Sequence, residues 1–169
     1  MRSVALAASV YPVNELEVDM TYMAGLERAL TRLDDPALSF RAELNVTGTY
    51  ALTNRLSFAV AVDDAHDRAD GGVSWWGIGS YIHATLLPWL SGTVRGEHFS
   101  DPEGFTTGTP QRLAELTGTL ETKQRMGIFT VIERFEYRRD HSDAAVFQAA
   151  LPPNRTHQDT LCVGIMALF

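Results

Sequence analysis

Polar and apolar residues alternate along almost the whole chain, and this alternation restricts the fold more than any other feature. In residues 38–50 a polar side chain follows an apolar one at nearly every step. Successive side chains of a β-strand point to opposite faces, so a period of two places each class on its own face. No segment of comparable length has the period of an amphipathic helix. The pattern predicts an all-β protein.

The alternating segments predict nine strands, at residues 3–10, 16–27, 37–50, 55–65, 73–86, 90–100, 112–122, 127–140 and 158–169. Short turns at 11–15, 51–54, 87–89 and 122–127 alternate with longer polar links at 28–36, 66–72, 100–111 and 141–157. Outer-membrane barrels have this short-long rhythm, and a strand of roughly 9–11 residues crosses a bilayer at a tilt. We therefore predict an antiparallel up-and-down transmembrane β-barrel, or a partial barrel, with eight to nine strands in this chain.

The segment 161–169 carries an apolar residue at every second position, ending on an aromatic ring. The series is Leu161, Val163, Ile165, Ala167 and Phe169. All five share one face of a strand. Bacterial outer-membrane barrels commonly end in such a strand, with its apolar face against lipid. We expect outer-membrane lipid to contact this face and the barrel-assembly machinery to recognise the strand.

Composition agrees with a barrel without requiring one. A chain of 169 residues predicts one domain, and a mean hydropathy of −0.08 suits either a soluble protein or a barrel whose faces average out. The net charge of −7 argues against a nucleic-acid partner, which favours basic surfaces. The lone Cys162 excludes an intrachain disulfide, and its place in a strand predicts a packed thiol.

The predicted strand number is odd, whereas bacterial single-chain barrels have even numbers. Residues 1–8 also lack the pattern of a secretory signal peptide. We therefore expect residues 1–169 to be a single β-barrel domain that forms the C-terminal part of a larger barrel. A free strand edge in lipid is strongly unfavourable, so we expect the isolated chain to be unstable as a monomer or to form a homo-oligomer.

Aromatic residues gather near the two ends of the predicted strands. Trp75, Trp76 and Tyr137 lie near the longer links, and Trp89 and Phe169 lie near the short turns. Membrane interfaces favour two such bands, which predicts an aromatic girdle. The alternative is that these residues reflect the general frequency of aromatics in strands.

Charged residues concentrate on the polar face of the later strands. The candidate lumen-lining residues are Arg41, Glu43, Arg95, Glu97, Glu115, Arg134, Glu136, Arg138 and Asp140. In a barrel they would either set the electrostatic preference of a pore or form cross-strand ion pairs that hold the wall. Glu133 is an exception, because strict alternation places it on the apolar face. It is expected close to the short turn or at a bulge.

Motifs for catalysis or cofactor binding are not found in the sequence. The histidines have no metal-ligand spacing, and neither a nucleophile elbow nor a phosphate-binding loop is present. Residues 101–108 are predicted to form a turn-rich surface loop, with an inward fold that narrows a pore as the alternative. We predict no enzymatic activity, no cofactor and no metal.

A set of short motifs gives a specific resemblance. They are Trp75-Trp76-Gly77 with Tyr81, Pro88-Trp89-Leu90, Arg95-Gly96-Glu97-His98-Phe99, Asp101-Pro102-Glu103-Gly104-Phe105, Thr107-Gly108, Glu115-Leu116-Thr117, Arg134-Phe135-Glu136-Tyr137-Arg138-Arg139-Asp140 with Ser142, and Gln158-Asp159-Thr160. In this order they resemble the C-terminal part of the OmpL-like β-barrel porins of bacterial outer membranes. The motifs cover residues 73–169, and residues 37–65 match in pattern. The resemblance implies a porin-like role in the outer membrane, with no solute specified.

Two functions from different classes follow. One is a porin-like outer-membrane barrel that allows passive diffusion of small hydrophilic solutes, in this case as a truncated fragment. The other is a soluble lipocalin-like barrel or β-sandwich that binds a ligand. A lipocalin encloses its apolar face, whereas a porin encloses its polar face. Aromatics at both strand ends, the strand lengths and Phe169 favour the porin.

Overall fold

The strands of this protein form one antiparallel sheet. The computed structural model describes residues 3–28, 38–68, 72–148 and 153–169. Its strands are β1 (Ser3–Val13), β2 (Leu16–Arg28), β3 (Leu38–Thr53), β4 (Leu56–Asp67), β5 (Val73–Leu87), β6 (Leu90–Asp101), β7 (Gln111–Met126), β8 (Phe129–Ser142) and β9 (His157–Leu168). Each strand pairs with the strands before and after it in sequence. Within the described residues there is no helix that could cross a membrane. The predicted all-β, up-and-down architecture is confirmed.

The short connections are tighter than the sequence suggested. Turns of two residues join the hairpins at 14–15, 54–55, 88–89 and 127–128, so the strands continue into the predicted turns. A two-residue turn lets both strands pair up to the bend, and Gly127 supplies a left-handed conformation with φ 64° at one of them. Pro12 lies where the β1–β2 register shifts, between Val10 and Val13, a position that tolerates a missing N–H.

The longer connections all lie at the opposite end of the sheet from these turns. The described ones join β6 to β7 at residues 102–110 and, in part, β8 to β9. Most of the predicted link 28–36, residues 69–71 of the link 66–72 and residues 149–152 of the link 141–157 lie outside the described residues.

The polar face of the sheet is the sheltered, concave one. Most buried polar side chains lie on it, including Asp67, Asp101 and Thr117, each no more than 2% exposed. Arg41 of β3 also comes within 5.1 Å of the ring of Phe105, which lies between β6 and β7. Together with the burial of these polar side chains, a contact between β3 and the β6–β7 connection indicates that the sheet curls towards this face.

The opposite, convex face is apolar and exposed. Its side chains include Phe58, Val62, Ile78, Ile82, Val94, Leu116, Leu120, Phe135, Leu161, Val163 and Ile165. The run from Leu161 to Phe169 extends about 26 Å along the strand at about 3.3 Å per residue. At the tilt of about 35–45° that barrel strands have, this run spans about 20 Å along the barrel axis, most of the apolar band of about 25 Å in outer-membrane barrels. The convex face therefore has the character of a lipid-facing surface.

Glu133 lies on this apolar face, as strict alternation predicts. The β7–β8 register passes through it without a shift, so there is no bulge at this point. Glu133 is in the first half of β8, towards the short turn, and its carboxylate accepts a hydrogen bond of 2.9 Å from the hydroxyl of Thr122. Proximity to the turn is thus the explanation that the structure favours.

The described sheet is open, which makes it a partial barrel. β1 pairs only with β2, and β9 pairs only with β8. Both edge strands run from the long-connection end to the short-turn end, so they are parallel to each other.

Cys162 lies in the edge strand β9 and is exposed, so the predicted packed thiol is wrong. An edge strand lacks the second neighbour that would cover it.

We expect the two faces to respond oppositely to a new charge. Val94 is convex and 54% exposed, whereas the adjacent Thr93 is concave and bonds to His83. Val94→Arg should destabilise the protein by about 2–4 kcal/mol near the middle of a bilayer. Thr93→Arg at matched depth should cost about 1 kcal/mol, the worth of its hydrogen bond. Urea unfolding in lipid vesicles measures both, and equal costs would contradict the assignment of the faces.

Candidate functional site: the concave polar face

All nine candidate lumen-lining residues lie on the concave face. The strand registers align Glu97 with Glu115 and Glu115 with Asp140, while Arg95, Arg134, Glu136 and Arg138 fall at neighbouring positions of the same face. Arg41 and Glu43 lie on β3, three strands away from β6. The structure therefore divides the predicted residues into a large group on β6–β8 and a pair on β3.

Glu115 is the centre of the larger group. Its side chain is 7% exposed and lies between two arginines from its neighbouring strands. Arg95 Nε donates to Glu115 at 2.9 Å, and Arg138 approaches the other carboxylate oxygen to 2.9 Å. The hydroxyl of Thr117 donates a third bond of 2.6 Å. A carboxylate with this many donors is held in one position.

The network continues on both sides of Glu115. Arg95 lies 3.4 Å from Glu97, which also accepts a hydrogen bond of 2.8 Å from the phenol of Tyr81 on β5. On the other side, Arg138 contacts the nearly buried Asp140 at 2.8 Å. The charged chain thus crosses four strands, from β5 to β8, and ties the wall together on its concave side.

A polar depression lies on the short-turn side of this network. It has a volume of about 360 Å³, and its lining includes His83, Ser91, Thr93, Thr119, Glu121, Arg134 and Glu136. Arg134 forms an ion pair of 2.8 Å with Glu121, and Glu136 accepts a bond of 3.0 Å from Thr119. Its hydroxyl, carboxylate and guanidinium groups form a water-compatible surface.

The pair on β3 has different surroundings. Arg41 bonds to the buried Asp67 at 3.0 Å, and Ser39 also donates to that carboxylate. The guanidinium carbon of Arg41 lies 5.9 Å from the Trp75 ring and 5.1 Å from the Phe105 ring. Glu43 is opposite Met23 and Ala65 in the adjoining strands. This region lies at the long-connection end, the mouth of the concave face.

Four of the five girdle candidates lie on the convex face or at a turn. Trp76 contacts His98 at 5.3 Å, Tyr137 donates to Asp159 at 2.6 Å, Trp89 occupies a turn, and the ring of Phe169 meets that of Phe129 edge-on at 6.5 Å. Trp75 differs, because its register places it on the concave face beside Arg41. Trp75 is therefore separated from the other girdle candidates.

Three residues outside the candidate set shape the long-connection end of the concave face. Asp67 and Asp101 lie just beyond the predicted strand ends at 65 and 100, in longer strands. Continuing the polar alternation two residues further would have found Asp67. Phe105 belongs to the connection 102–110, where no strand period applies. Its contact with Trp75 has no signal in the sequence.

The side chains of this face can form hydrogen bonds with water and with ions. The described residues contain no cluster of histidine, cysteine and carboxylate side chains that could hold a metal ion. Among the side chains that the structure describes, acidic groups on the face outnumber basic ones. The acidic residues are Glu17, Asp19, Glu43, Asp63, Asp67, Glu97, Asp101, Glu115, Glu121, Glu136 and Asp140, and the basic ones are Arg41, Arg95, Lys123, Arg125, Arg134 and Arg138.

Comparison with known proteins gives a family match along the entire sequence. The sequence model of the family described as "Putative beta-barrel porin-2, OmpL-like" matches residues 1–169. The match thus includes residues 1–72, for which the sequence analysis found no specific motif of this family. No curated protein and no solved structure matches the chain.

We expect Glu115 to stabilise the wall more than its neighbour Glu136 does. Glu115→Gln removes the charge shared by Arg95 and Arg138 and should lower the free energy of unfolding by about 1–3 kcal/mol. Glu136→Gln keeps an acceptor for Thr119 and should cost less than about 1 kcal/mol. Denaturant titration in detergent micelles compares the two variants. A larger loss at Glu136 would show that Glu115 is not the centre of the network.

Proposed function

The chain belongs to the OmpL-like β-barrel porin-2 family. We therefore propose that it forms part of the wall of an outer-membrane channel for passive diffusion of small hydrophilic solutes. Membership of this family implies a porin-like role and an outer-membrane location, and it favours a non-catalytic protein. The finer statement, diffusion along the concave face, is supported by the orientation of the sheet.

The observation that carries the proposal is the direction of curvature. The concave face holds the ionic network of Arg95, Glu115 and Arg138, whereas the convex face exposes residues such as Leu161, at 82%. A lipocalin-like barrel or β-sandwich would turn the apolar side chains inward. Exposed apolar surface of this extent marks a membrane or protein contact in folded proteins. Lipid on the convex side and water on the concave side satisfy both faces.

We further propose that the channel prefers cations. The arginines of the concave face are largely matched by carboxylates, as in the pairs of Arg41 with Asp67 and Arg134 with Glu121. The remaining carboxylates, among them Asp63 and Asp19, leave the face negative. Rings of carboxylates favour cations in pores, and a low-dielectric wall strengthens their field.

We propose that further strands complete the wall between β9 and β1. Unpaired backbone groups at these two edges would each cost several kcal/mol in lipid. Because β1 and β9 run in the same direction, an odd number of added strands makes every pairing antiparallel. Two copies joined head to tail would instead contain two parallel seams. The strand directions therefore favour a larger barrel over a homo-oligomer of this chain.

The contacts with lipid and with the assembly machinery follow from the same orientation. We propose that the convex band contacts lipid chains and that Trp76 and Tyr137 mark one interface and Trp89 and Phe169 the other, as girdle residues do. The apolar face of β9 remains the proposed recognition element for barrel assembly.

The choice between the two function classes is tested by refolding from urea. With detergent micelles we expect β-structure and a gel mobility that changes on boiling, because the convex face needs an apolar solvent. In buffer alone we expect aggregation. Circular dichroism and unheated gels measure both. A monodisperse β-protein in plain buffer would instead support the lipocalin-like alternative.

The cation preference is tested by neutralising one carboxylate on each face of β4. Asp63 is concave and accepts a hydrogen bond of 2.7 Å from Asn45, whereas the adjacent Asp64 is convex. Asp63→Asn retains an acceptor for Asn45, and it should move the reversal potential in a salt gradient towards zero. Asp64→Asn should leave that potential unchanged. The measurement uses the barrel completed by the further strands proposed above, in planar bilayers, and an anion-selective wild-type channel would contradict the proposal.

A further inference from the structure

The connection between β6 and β7 lies over the concave face. Phe105, in the middle of residues 102–110, stacks on Trp75 with ring centroids 5.3 Å apart and planes inclined by 20°. Trp75 shares its face with Tyr81, whose hydroxyl reaches the charged network through Glu97. The loop is exposed along most of its length, as predicted, and the side chain of Phe105 turns onto the concave face.

Asp101, the last residue of β6, fixes the shape of this loop. Its side chain is fully buried, and its carboxylate accepts five hydrogen bonds from three consecutive loop residues. The donors are the backbone N–H groups of Phe105, Thr106 and Thr107, at 2.9, 3.0 and 2.9 Å, and the hydroxyls of Thr106 and Thr107, at 2.8 and 2.9 Å. A buried carboxylate with so many donors holds the loop in one conformation.

Two further contacts hold the loop against the wall. The backbone N–H of Ser74, on β5, donates to Glu103 at 3.3 Å. Gly104 has φ 67°, and a Cβ at this position would lie 2.6 Å from the backbone of Thr109 and Pro110. The close backbone approach requires glycine here. The loop is therefore compact and packed against the strands.

Arg41 connects the loop to the far side of the concave face. It comes from β3, and its guanidinium lies over both the Phe105 and the Trp75 rings while it is paired with Asp67 at 3.0 Å. A cation over an aromatic face contributes about 0.5–2 kcal/mol, depending on its solvation. The loop thus reaches across the space in front of β4 and β5.

We propose that the β6–β7 loop is the constriction of the channel, and that Phe105, stacked on Trp75 and covered by Arg41, determines the largest solute that passes. This inference rests on the proposed porin function and adds the residues that set its size limit. The charge of Arg41 is matched by Asp67, so the constriction selects by size. The carboxylates deeper on the concave face select by charge.

The test compares Phe105→Ala with Phe135→Ala, which removes an equal side chain from the convex face. In the barrel completed by the further strands proposed above, Phe105→Ala should raise the single-channel conductance in planar bilayers and should admit larger oligosaccharides in liposome-swelling assays. Phe135→Ala should change neither. Asp101→Asn, which weakens the bonds to the loop but keeps Phe105, should also raise the conductance. If Phe105→Ala has the conductance and the solute size limit of the wild type, the proposal that this loop forms the constriction is wrong.

A second readout separates failure of the constriction from failure of the porin function. If no variant conducts, the diffusion proposal fails, and the loop contact is judged by the unfolding midpoints of Arg41→Ala, Phe105→Ala and the double variant in detergent. A double variant whose midpoint shift is smaller than the combined single shifts supports the inward loop, because the two residues share one contact. Additive shifts overturn it.

Discussion

The hydrogen-bonded ladder between neighbouring strands is the constraint on which the other features of this protein depend. Lipid offers no partner for backbone N–H and C=O groups, so a chain that crosses it as strands must pair those groups with its own. From β2 to β8 each strand does so on both sides, and the register shifts lie close to the short turns, as between Thr85 and Leu87. With the backbone committed to the ladder, the two faces remain for the side chains. The backbone groups on the outer edges of β1 and β9 have no strand partner in the described sheet, which is unfavourable in lipid. These edges therefore favour a wall that continues with other strands.

The concave face combines two physical tasks in separate places. Near its middle, Glu115 holds Arg95 and Arg138 in a chain of charge-assisted bonds that crosses four strands. The nearly buried Glu115 carboxylate is stabilised there because two guanidinium groups and the hydroxyl of Thr117 contact it. At the mouth, Phe105 and Trp75 stack beneath Arg41. In the proposed channel, charge selection and size selection would therefore depend on different residues.

Local pattern was a good guide wherever a residue lay inside a strand. The period of two identified all nine strands of the described sheet and put Arg41, Glu43 and the residues of β6–β8 on a common face. It failed at strand ends, because turn-forming residues such as Pro12 are compatible with a two-residue hairpin as well as with a longer turn. Asp67 and Asp101 were missed because β4 and β6 continue past the residues at which a polar link was predicted to begin. The packed state expected of Cys162 from its place within a strand was wrong because β9 is an edge of the described sheet.

The sequence by itself determined the all-β class, the strand order and the membership of each face, because these depend on neighbours along the chain and on turn lengths. Only the tertiary structure decided which face is enclosed, since an alternating pattern is unchanged when inside and outside are exchanged. It also decided that Phe105 meets Trp75 and Arg41. Those contacts join a loop to strands far from it in sequence, and they exist only because the sheet curls until distant side chains share the same space.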